Sequence, residues 1–296
     1  MRLLVTGATG FLGWRSATLL AEAGHDVLAI ANPGGARRAH SVDLIATELD
    51  AGAPAARELI SGRDAVLHFA GVPAPATARA DPARAVRENV GTTLNLLTGC
   101  LDHGARFLYP STVRAAAEPP PDAYALSKWL GEQLCHRHPA PATVVRITSA
   151  YGPGQVAWEG ATGAIAAFAA RALEGAPIVI EGDPTRTRDF VYADDVVVAI
   201  EALLTESRWD EIITLASGVA TPLREAAELV REATGSDSEI QTQVGELAEG
   251  ENASYLAAPT PPELGFRSRP LAEGIASYVA WIHRHPAAQG RARAHR

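Results

Sequence analysis

Hydrophobic positions along the chain fall into short runs separated by longer amphipathic stretches. Leu3-Leu4-Val5 is an apolar run ending at a glycine turn; helical periodicity follows over residues 11–23, then a second apolar run over residues 27–30. That order predicts a strand–helix–strand unit. Similar strand-like runs occur at 65–69, 106–109, 143–147, 178–180 and 212–215. The clearest helical periodicity covers 82–101, 124–136, 162–173, 194–204 and 223–233. Strands alternating with helices predict an α/β fold, a doubly wound parallel Rossmann sheet covered on both faces.

Beyond Tyr151 the strands become sparse and Gly and Pro more frequent. The expected division is a nucleotide-binding domain of residues 1–150 plus roughly 188–212, a smaller C-terminal substrate-binding lobe of residues 151–187 and 213–285, and a disordered tail over 286–296. Residues 73–80, rich in Pro and Ala, follow a strand and read either as a loop covering a ligand or as a plain surface connection.

Composition narrows the classes. With 296 residues, 47% of them hydrophobic and 20% charged, the chain resembles an ordinary soluble domain, and no run approaches the roughly 18 apolar residues of a membrane span. A net charge of -8 argues against nucleic acid as a partner. The first strand starts at Arg2 with no charged leader, which sets the expectation of a cytoplasmic protein. Cys100 and Cys135 lack metal-ligand spacing and are expected to be packed as reduced thiols, with no metal site.

Thr6-Gly7-Ala8-Thr9-Gly10-Phe11-Leu12-Gly13 places three glycines between the first strand and the first helix. Missing Cβ atoms there let backbone amides and the helix amino end approach a pyrophosphate, so Gly7, Thr9, Gly10, Phe11, Leu12 and Gly13 are candidate cofactor contacts; three glycines can also serve a turn alone. An acidic residue closing the second strand would hold the ribose 2′-hydroxyl of NAD(H), but Ala31-Asn32 stands there, followed by Arg37 and Arg38. A carboxylate repels a 2′-phosphate and arginine attracts it, so NADP(H) is favoured and NAD(H) stays possible, with Asn32, Arg37 and Arg38 near the ribose.

Of the 26 basic residues a single one, Lys128, is lysine, and it follows Tyr124 by four positions. With six tyrosines in the chain, that spacing arises by coincidence in roughly 2% of arrangements. On a helix the two side chains share one face, one turn apart. A free tyrosine titrates near about pH 10, and a neighbouring ammonium and an oxidised nicotinamide would lower that value, so Tyr124 can exchange a proton with a carbonyl oxygen. Ser111 and Thr112, just past the run at 106–109, each offer a hydroxyl to that oxygen; one of the two is expected to be catalytic.

Taken together these residues resemble the extended short-chain dehydrogenase/reductase superfamily, in the branch of sugar-nucleotide epimerases, dehydratases and 4-ketoreductases. The glycine run is similar to that family's TGxxGxxG, His68-Phe-Ala-Gly71 to its HxAA segment, Asn89-Val-Gly-Thr92 to its NVxGT helix, Arg146 to Gly154 to RxxNVYGPG with Ser149 in place of Asn, Arg188 to Asp195 to RDFVYVDD, and Glu263-Leu-Gly-Phe266 to its LGW-like element. The resemblance implies that Phe69, Ala70 and Gly71 line the cofactor, that Glu48 and Leu49 lie at the adenine, and that Asn89 supports the active-site hydrogen bonds. It implies that Arg188 contacts the diphosphate of a nucleotide sugar, and it suggests a homodimer through the segments 82–101 and 124–136. Gln155 and Trp158, just past the domain boundary, are further candidates for the substrate, and Asp194 and Asp195 are expected to cap a helix.

Two departures bear on chemistry. The branch's 4,6-dehydratases carry Thr-Asp-Glu, whereas Thr112 precedes Val113 and Arg114, so no carboxylate is placed there to move protons at neighbouring carbons. Only 11 residues separate Thr112 from Tyr124, fewer than is usual for the branch. The favoured function is NADPH-dependent reduction of a keto group on a nucleotide-linked deoxysugar. The alternatives are an NAD-dependent sugar-nucleotide epimerase, a reductase of a non-sugar carbonyl, and an NADP-binding sensor without turnover.

Overall fold

In the computed structural model, which describes residues 1–32, 42–47, 49, 54–160, 163–206, 208–243 and 253–288, the first apolar run becomes β1 (Arg2–Thr6), buried from its second residue onward. A strand buried on both faces needs cover on both sides, and alternation supplies it. In chain order follow α1 (Phe11–Glu22), β2 (Asp26–Ala31), β3 (Asp43–Ala46), α2 (Pro54–Glu58), β4 (Ala65–His68), α3 (Pro75–Ala80) and α4 (Pro82–Val86). A π-helical turn (Arg87–Gly91) then leads into α5 (Thr92–His103), β5 (Arg106–Thr112), a 3-10 turn (Val113–Ala116), α6 (Ala123–Arg137) and β6 (Ala142–Ile147). The remainder is β7 (Ser149–Tyr151), a 3-10 turn (Ala157–Glu159), α7 (Ala164–Leu173), β8 (Ile178–Glu181), β9 (Thr187–Arg188), β10 (Phe190–Tyr192), α8 (Ala193–Thr205), β11 (Ile212–Leu215), β12 (Thr221–Pro222), α9 (Leu223–Thr234), β13 (Ile240–Gln243), a 3-10 turn (Pro262–Leu264) and α10 (Leu271–Arg284).

The chain divides into two units, Met1–Ile147 with Val197–Leu215, and Thr148–Val196 with Ala216–Arg296. Residues 188–196, assigned from sequence to the nucleotide-binding domain, lie in the second unit. The first unit holds a seven-stranded, wholly parallel sheet of order β11-β6-β5-β4-β1-β2-β3, as the doubly wound class requires. Strand order reverses between β1 and β4, and the carboxyl ends of such a pair bound the crevice where open α/β sheets place ligands. Beneath the sheet, Leu4, Ile30, Val66, Leu97, Phe107 and Tyr109 form one packed cluster, which also takes in the buried free thiols of Cys100 and Cys135.

The second unit is built on three two-stranded pairs, β10-β7, β12-β9 and β13-β8. Residues of α7, α9 and α10 close its own core around Tyr151, Phe168, Phe190 and Tyr278.

Several expectations change. The single helix over 82–101 is three segments, because the π-helical turn inserts an extra residue at Asn89 and rotates α5 relative to α4. Part of the presumed loop at 73–80 is α3, started by Pro75, whose fixed φ suits a first helical position. Periodicity along the sequence assigned no helix to 271–284, where α10 lies. Of the tail read as disordered, 286–288 form a helical turn with Ala288 buried, and 289–296 lie outside the described residues. Among the described residues no helix is long and apolar enough to cross a membrane.

Candidate active site

The glycine turn sits at the carboxyl end of β1. Gly7 has φ +67°, and a Cβ there would stand 2.5 Å from the backbone nitrogen of Ala70; a Cβ on Gly13 would strike the carbonyl oxygen of Gly7. The turn therefore folds against itself and against the end of β4 as only glycine permits. The N–H of Gly10 donates to Gly7 O at 2.8 Å, Thr9 is half-buried, and Phe11 and Leu12 open α1. Gly10 caps α1 with no side-chain hydrogen bond, which leaves the first-turn amides to an anion. These residues fit the pyrophosphate of a dinucleotide.

Thr6 and His68, opposite one another across β1 and β4, tie the turn to its neighbour: Thr6 Oγ1 pairs with His68 Nδ1 at 2.8 Å and accepts the N–H of Ala70 at 3.2 Å. Burial, then the charge of Lys128, pushes the His68 pKa down to about 3, so the imidazole is a neutral pin. Ala31 is buried at the end of β2 and Asn32 exposed, with no carboxylate at either position. Arg37, Arg38 and Glu48 lie outside the described residues. Leu49 is buried in the core cluster with Leu4 and Ile30, Phe69 is half-buried, and Gly71 lies against the side chain of Asn89.

Asn89 joins this region to α6. Its Oδ1 accepts from Val72 N at 2.8 Å, and its Nδ2 donates to Val72 O at 3.2 Å and to Ser127 Oγ at 2.8 Å. Ser127 Oγ in turn donates to the carbonyl of Tyr124 at 2.8 Å. The π-helical turn is what aims this amide inward.

Tyr124 and Lys128 lie one turn apart on α6, which is capped by Asp122 through the N–H of Ala125 at 2.8 Å. Lys128 is buried; its Nζ donates to Pro110 O at 2.9 Å and sits 4.7 Å from the ring centre of Tyr109. Burial pulls its pKa down to about 8, against the opposing pull of Cys135 and Glu132. The phenol departs from expectation. Burial pushes the Tyr124 pKa up to about 12, and the charge that opposes this is the Arg114 guanidinium, while Asp122 adds to the rise. The predicted lowering by Lys128 is thus overturned for the protein by itself, because desolvation of the phenolate outweighs the Arg114 charge that opposes it.

The two hydroxyls at the end of β5 separate. Ser111 Oγ donates to Glu132 Oε1 at 2.5 Å, and Arg146 grips the same carboxylate through Nε at 3.0 Å and Nη2 at 2.6 Å. Glu132 is fully buried. Thr112 Oγ1 accepts the N–H of Arg114 at 3.3 Å, and among the described residues its hydroxyl has no acceptor.

In the second unit, Arg188 donates to Ala253 O at 2.5 Å and its guanidinium stands 5.4 Å from the ring centre of Tyr255. Its neighbour Asp189 is buried and accepts from Ser217 N and Oγ and from Gly218 N. Gln155 is buried, with its amide donating to Ala150 O at 3.4 Å, and Trp158 Nε1 donates to Glu174 Oε1 at 2.8 Å while its ring packs on the core. Asp195 does not act as the cap expected of it: its carboxylate is chelated by Arg269, with Nη2 at 2.6 Å and the backbone N–H at 2.9 Å.

Ser127, Glu132, Arg114 and Asp122 were not singled out for the site from sequence. Glu132 had a signal: positions 124, 128 and 132 recur every four residues on one helix face, so a carboxylate there is buried and must have a partner.

The NAD dependent epimerase/dehydratase family model matches residues 3–216. The chain is 31% identical to a dTDP-glucose 4,6-dehydratase of Streptomyces griseus over 96% of this chain and 94% of that one. It is 27% identical to a dTDP-4-dehydro-6-deoxy-D-allose reductase of Streptomyces bikiniensis over 96% of each. Among solved structures, the UDP-glucose 4-epimerase of Thermotoga maritima in complex with UDP-glucose superposes with a TM-score of 0.85 at 26% identity, covering 96% of this chain and 99% of that one. A glycine turn that fits a dinucleotide, a tyrosine and lysine one turn apart beside it, and these likenesses over nearly the whole length converge: the chain belongs to the NAD-dependent epimerase/dehydratase family.

Proposed function

We propose that this chain reduces a keto group on a nucleotide-linked deoxysugar with NADPH, using Tyr124 as proton donor. The observation that carries the reading is the pairing of Tyr124 and Lys128 on α6 in the unit that holds the glycine turn, with a hydroxyl at Thr112 and no carboxylate after it. The dinucleotide, when bound, supplies the hydride. Tyr124 gives its proton to the carbonyl oxygen as charge develops there, and Thr112 donates a hydrogen bond to the same oxygen. Lys128 holds the ribose hydroxyls through its ammonium, a compact donor on a flexible stem. Arg188 takes the substrate diphosphate, for which a forked guanidinium is suited.

Val113 and Arg114 stand where the dehydratase pattern has two carboxylates, which disfavours elimination despite the likeness to a dehydratase. A relative named as a 4-keto-sugar reductase supports the favoured reading. Asn32 at the end of β2 supports NADPH over NADH, although the family is described as NAD dependent. Exposed apolar side chains on α4, α5 and α6, namely Val86, Leu94, Leu101 and Leu126, support a homodimer through these helices.

A second reading, a sugar-nucleotide epimerase retaining NAD, is favoured by the likeness to the UDP-glucose 4-epimerase. The test is to follow NADPH and NADH absorbance with dTDP- and UDP-linked 4-keto sugars. Stoichiometric consumption of NADPH supports the reductase, and sugar conversion without consumption supports the epimerase. Cofactor binding without turnover of any of these substrates overturns both in favour of a sensor or a non-sugar substrate.

A further inference from the structure

An ion pair closes the short connection between Thr112 and Tyr124. The Arg114 guanidinium, on the 3-10 turn after β5, pairs with the Asp122 carboxylate, the two side chains being 11% and 14% exposed. Each end of the pair is also fastened to one of the reacting elements. The Arg114 N–H donates to Thr112 Oγ1 at 3.3 Å, and Asp122 Oδ1 accepts from Ala125 N at 2.8 Å to start α6. Tyr124 is the second residue of that helix.

Stability by itself does not call for charges here, since burying two ions costs several kcal/mol each and an apolar pair would close the connection as well. The placement has a use at the phenol. Around Tyr124, the turn contributes the Arg114 cation and the helix start the Asp122 anion. β5 contributes Tyr109, itself a buried neutral phenol that interacts with Tyr124, and Lys128 lies one turn on with its ammonium on Pro110 O. The packing from the segment before α3, from α3 and from α4 is apolar among the described residues, through Val72, Ala78 and Ala85.

We propose that Arg114 is a positioning residue for Tyr124: paired with Asp122, two residues before the tyrosine, it ties the amino end of α6 to Thr112 and holds its positive charge at that end of the helix. The inference rests on the reading of Tyr124 as proton donor. It assigns the electrostatic control of that proton to the ion pair on the turn after β5. Arg114 pulls the phenol toward ionisation, and Asp122 pulls it back.

Opposed signs make the test. Arg114→Gln and Asp122→Asn break the same ion pair, and the asparagine keeps an oxygen able to cap α6. In full-length protein carrying Tyr124→difluorotyrosine, fluorine NMR reads ionisation of that one ring directly. Arg114→Gln is expected to move the titration to higher pH and Asp122→Asn to lower pH, each by about threefold or more in proton affinity, with Arg114→Lys restoring the wild-type position. Shifts of the same sign in both variants, or no shift in either, overturn the proposal, because loss of a purely structural clamp has one direction. If Arg114→Gln fails to fold, an upward or absent shift in Asp122→Asn overturns it by itself. The NMR readout needs no turnover, so opposed shifts in a protein that reduces no keto sugar leave this inference standing while the proposed function falls. Turnover with unopposed shifts does the reverse.

Discussion

Ser111 Oγ is bound to Glu132 Oε1 at 2.5 Å, inside a cluster completed by the Arg146 guanidinium, and so the hydroxyl next to Thr112 belongs to the protein's framework. Two adjacent hydroxyls that looked equivalent in the sequence therefore have different partners.

Thr112→Val is expected to lower kcat by about 10²–10³ with a small change in KM, the loss typical of removing one hydrogen-bond donor to a developing oxyanion. Ser111→Ala should leave kcat within a few-fold while lowering the denaturant midpoint. Glu132→Gln should cost about 2–3 kcal/mol of stability, below the full cost of breaking a buried pair because Arg146 retains some access to water. A large kcat loss in Ser111→Ala with none in Thr112→Val would exchange the two assignments.

Lys128 gives the folded protein a distinctive pH dependence. Its ammonium loses its proton near about 8 when buried, against its ordinary 10.5 when exposed. Between those values the unfolded chain binds more protons than the folded one, so this group's contribution makes stability rise with pH through that window. Below about 8 the buried charge carries a penalty of about 3 kcal/mol that is fully relieved by 10.5. The difference in unfolding free energy between wild type and Lys128→Met, measured without cofactor from pH 7 to 10.5, should follow that rise and remove the opposing contributions of the buried thiols. A difference independent of pH would show that the ammonium is solvated.

Gly13→Ala should weaken dinucleotide binding by at least about tenfold and destabilise the fold by about 1–3 kcal/mol, because its Cβ would meet the carbonyl of Gly7 and the turn cannot give way without leaving β4. Fluorescence titration with NADPH checks it. Unchanged affinity would place the cofactor away from this turn.

Asn32→Asp should shift the ratio of kcat/KM for NADPH and NADH by about tenfold or more toward NADH, since a carboxylate at the end of β2 accepts from a 2′-hydroxyl and repels a 2′-phosphate. If the wild type already prefers NADH and the substitution changes nothing, the ribose lies elsewhere.

Local pattern carried the framework. The alternation of apolar runs with helical stretches, the glycine turn between Thr6 and Gly13, and the four-residue spacing of Tyr124 and Lys128 are short-range features, and each appears in the structure as β1, α1 and one face of α6. Such features are legible because strand and helix periods, and the steric demand for a missing Cβ, are settled by residues close in sequence. Less was legible where periodicity was interrupted: the helix over 82–101 hid a π-helical turn, and that turn is what carries the Asn89 amide to Ser127.

By itself, then, the sequence determined the class of fold, the glycine turn between β1 and α1, and the tyrosine–lysine pair on one helix. Only the tertiary structure decided which hydroxyl is spent on Glu132, that Asp195 is occupied by Arg269, and that the charge opposing the high pKa of Tyr124 comes from Arg114. The reason is physical. The acidity of a buried group depends on how far water is excluded and on which charges arrive from other elements, and for Ser111, Glu132 and Arg146 those partners are chosen by the packing of β5, β6 and α6.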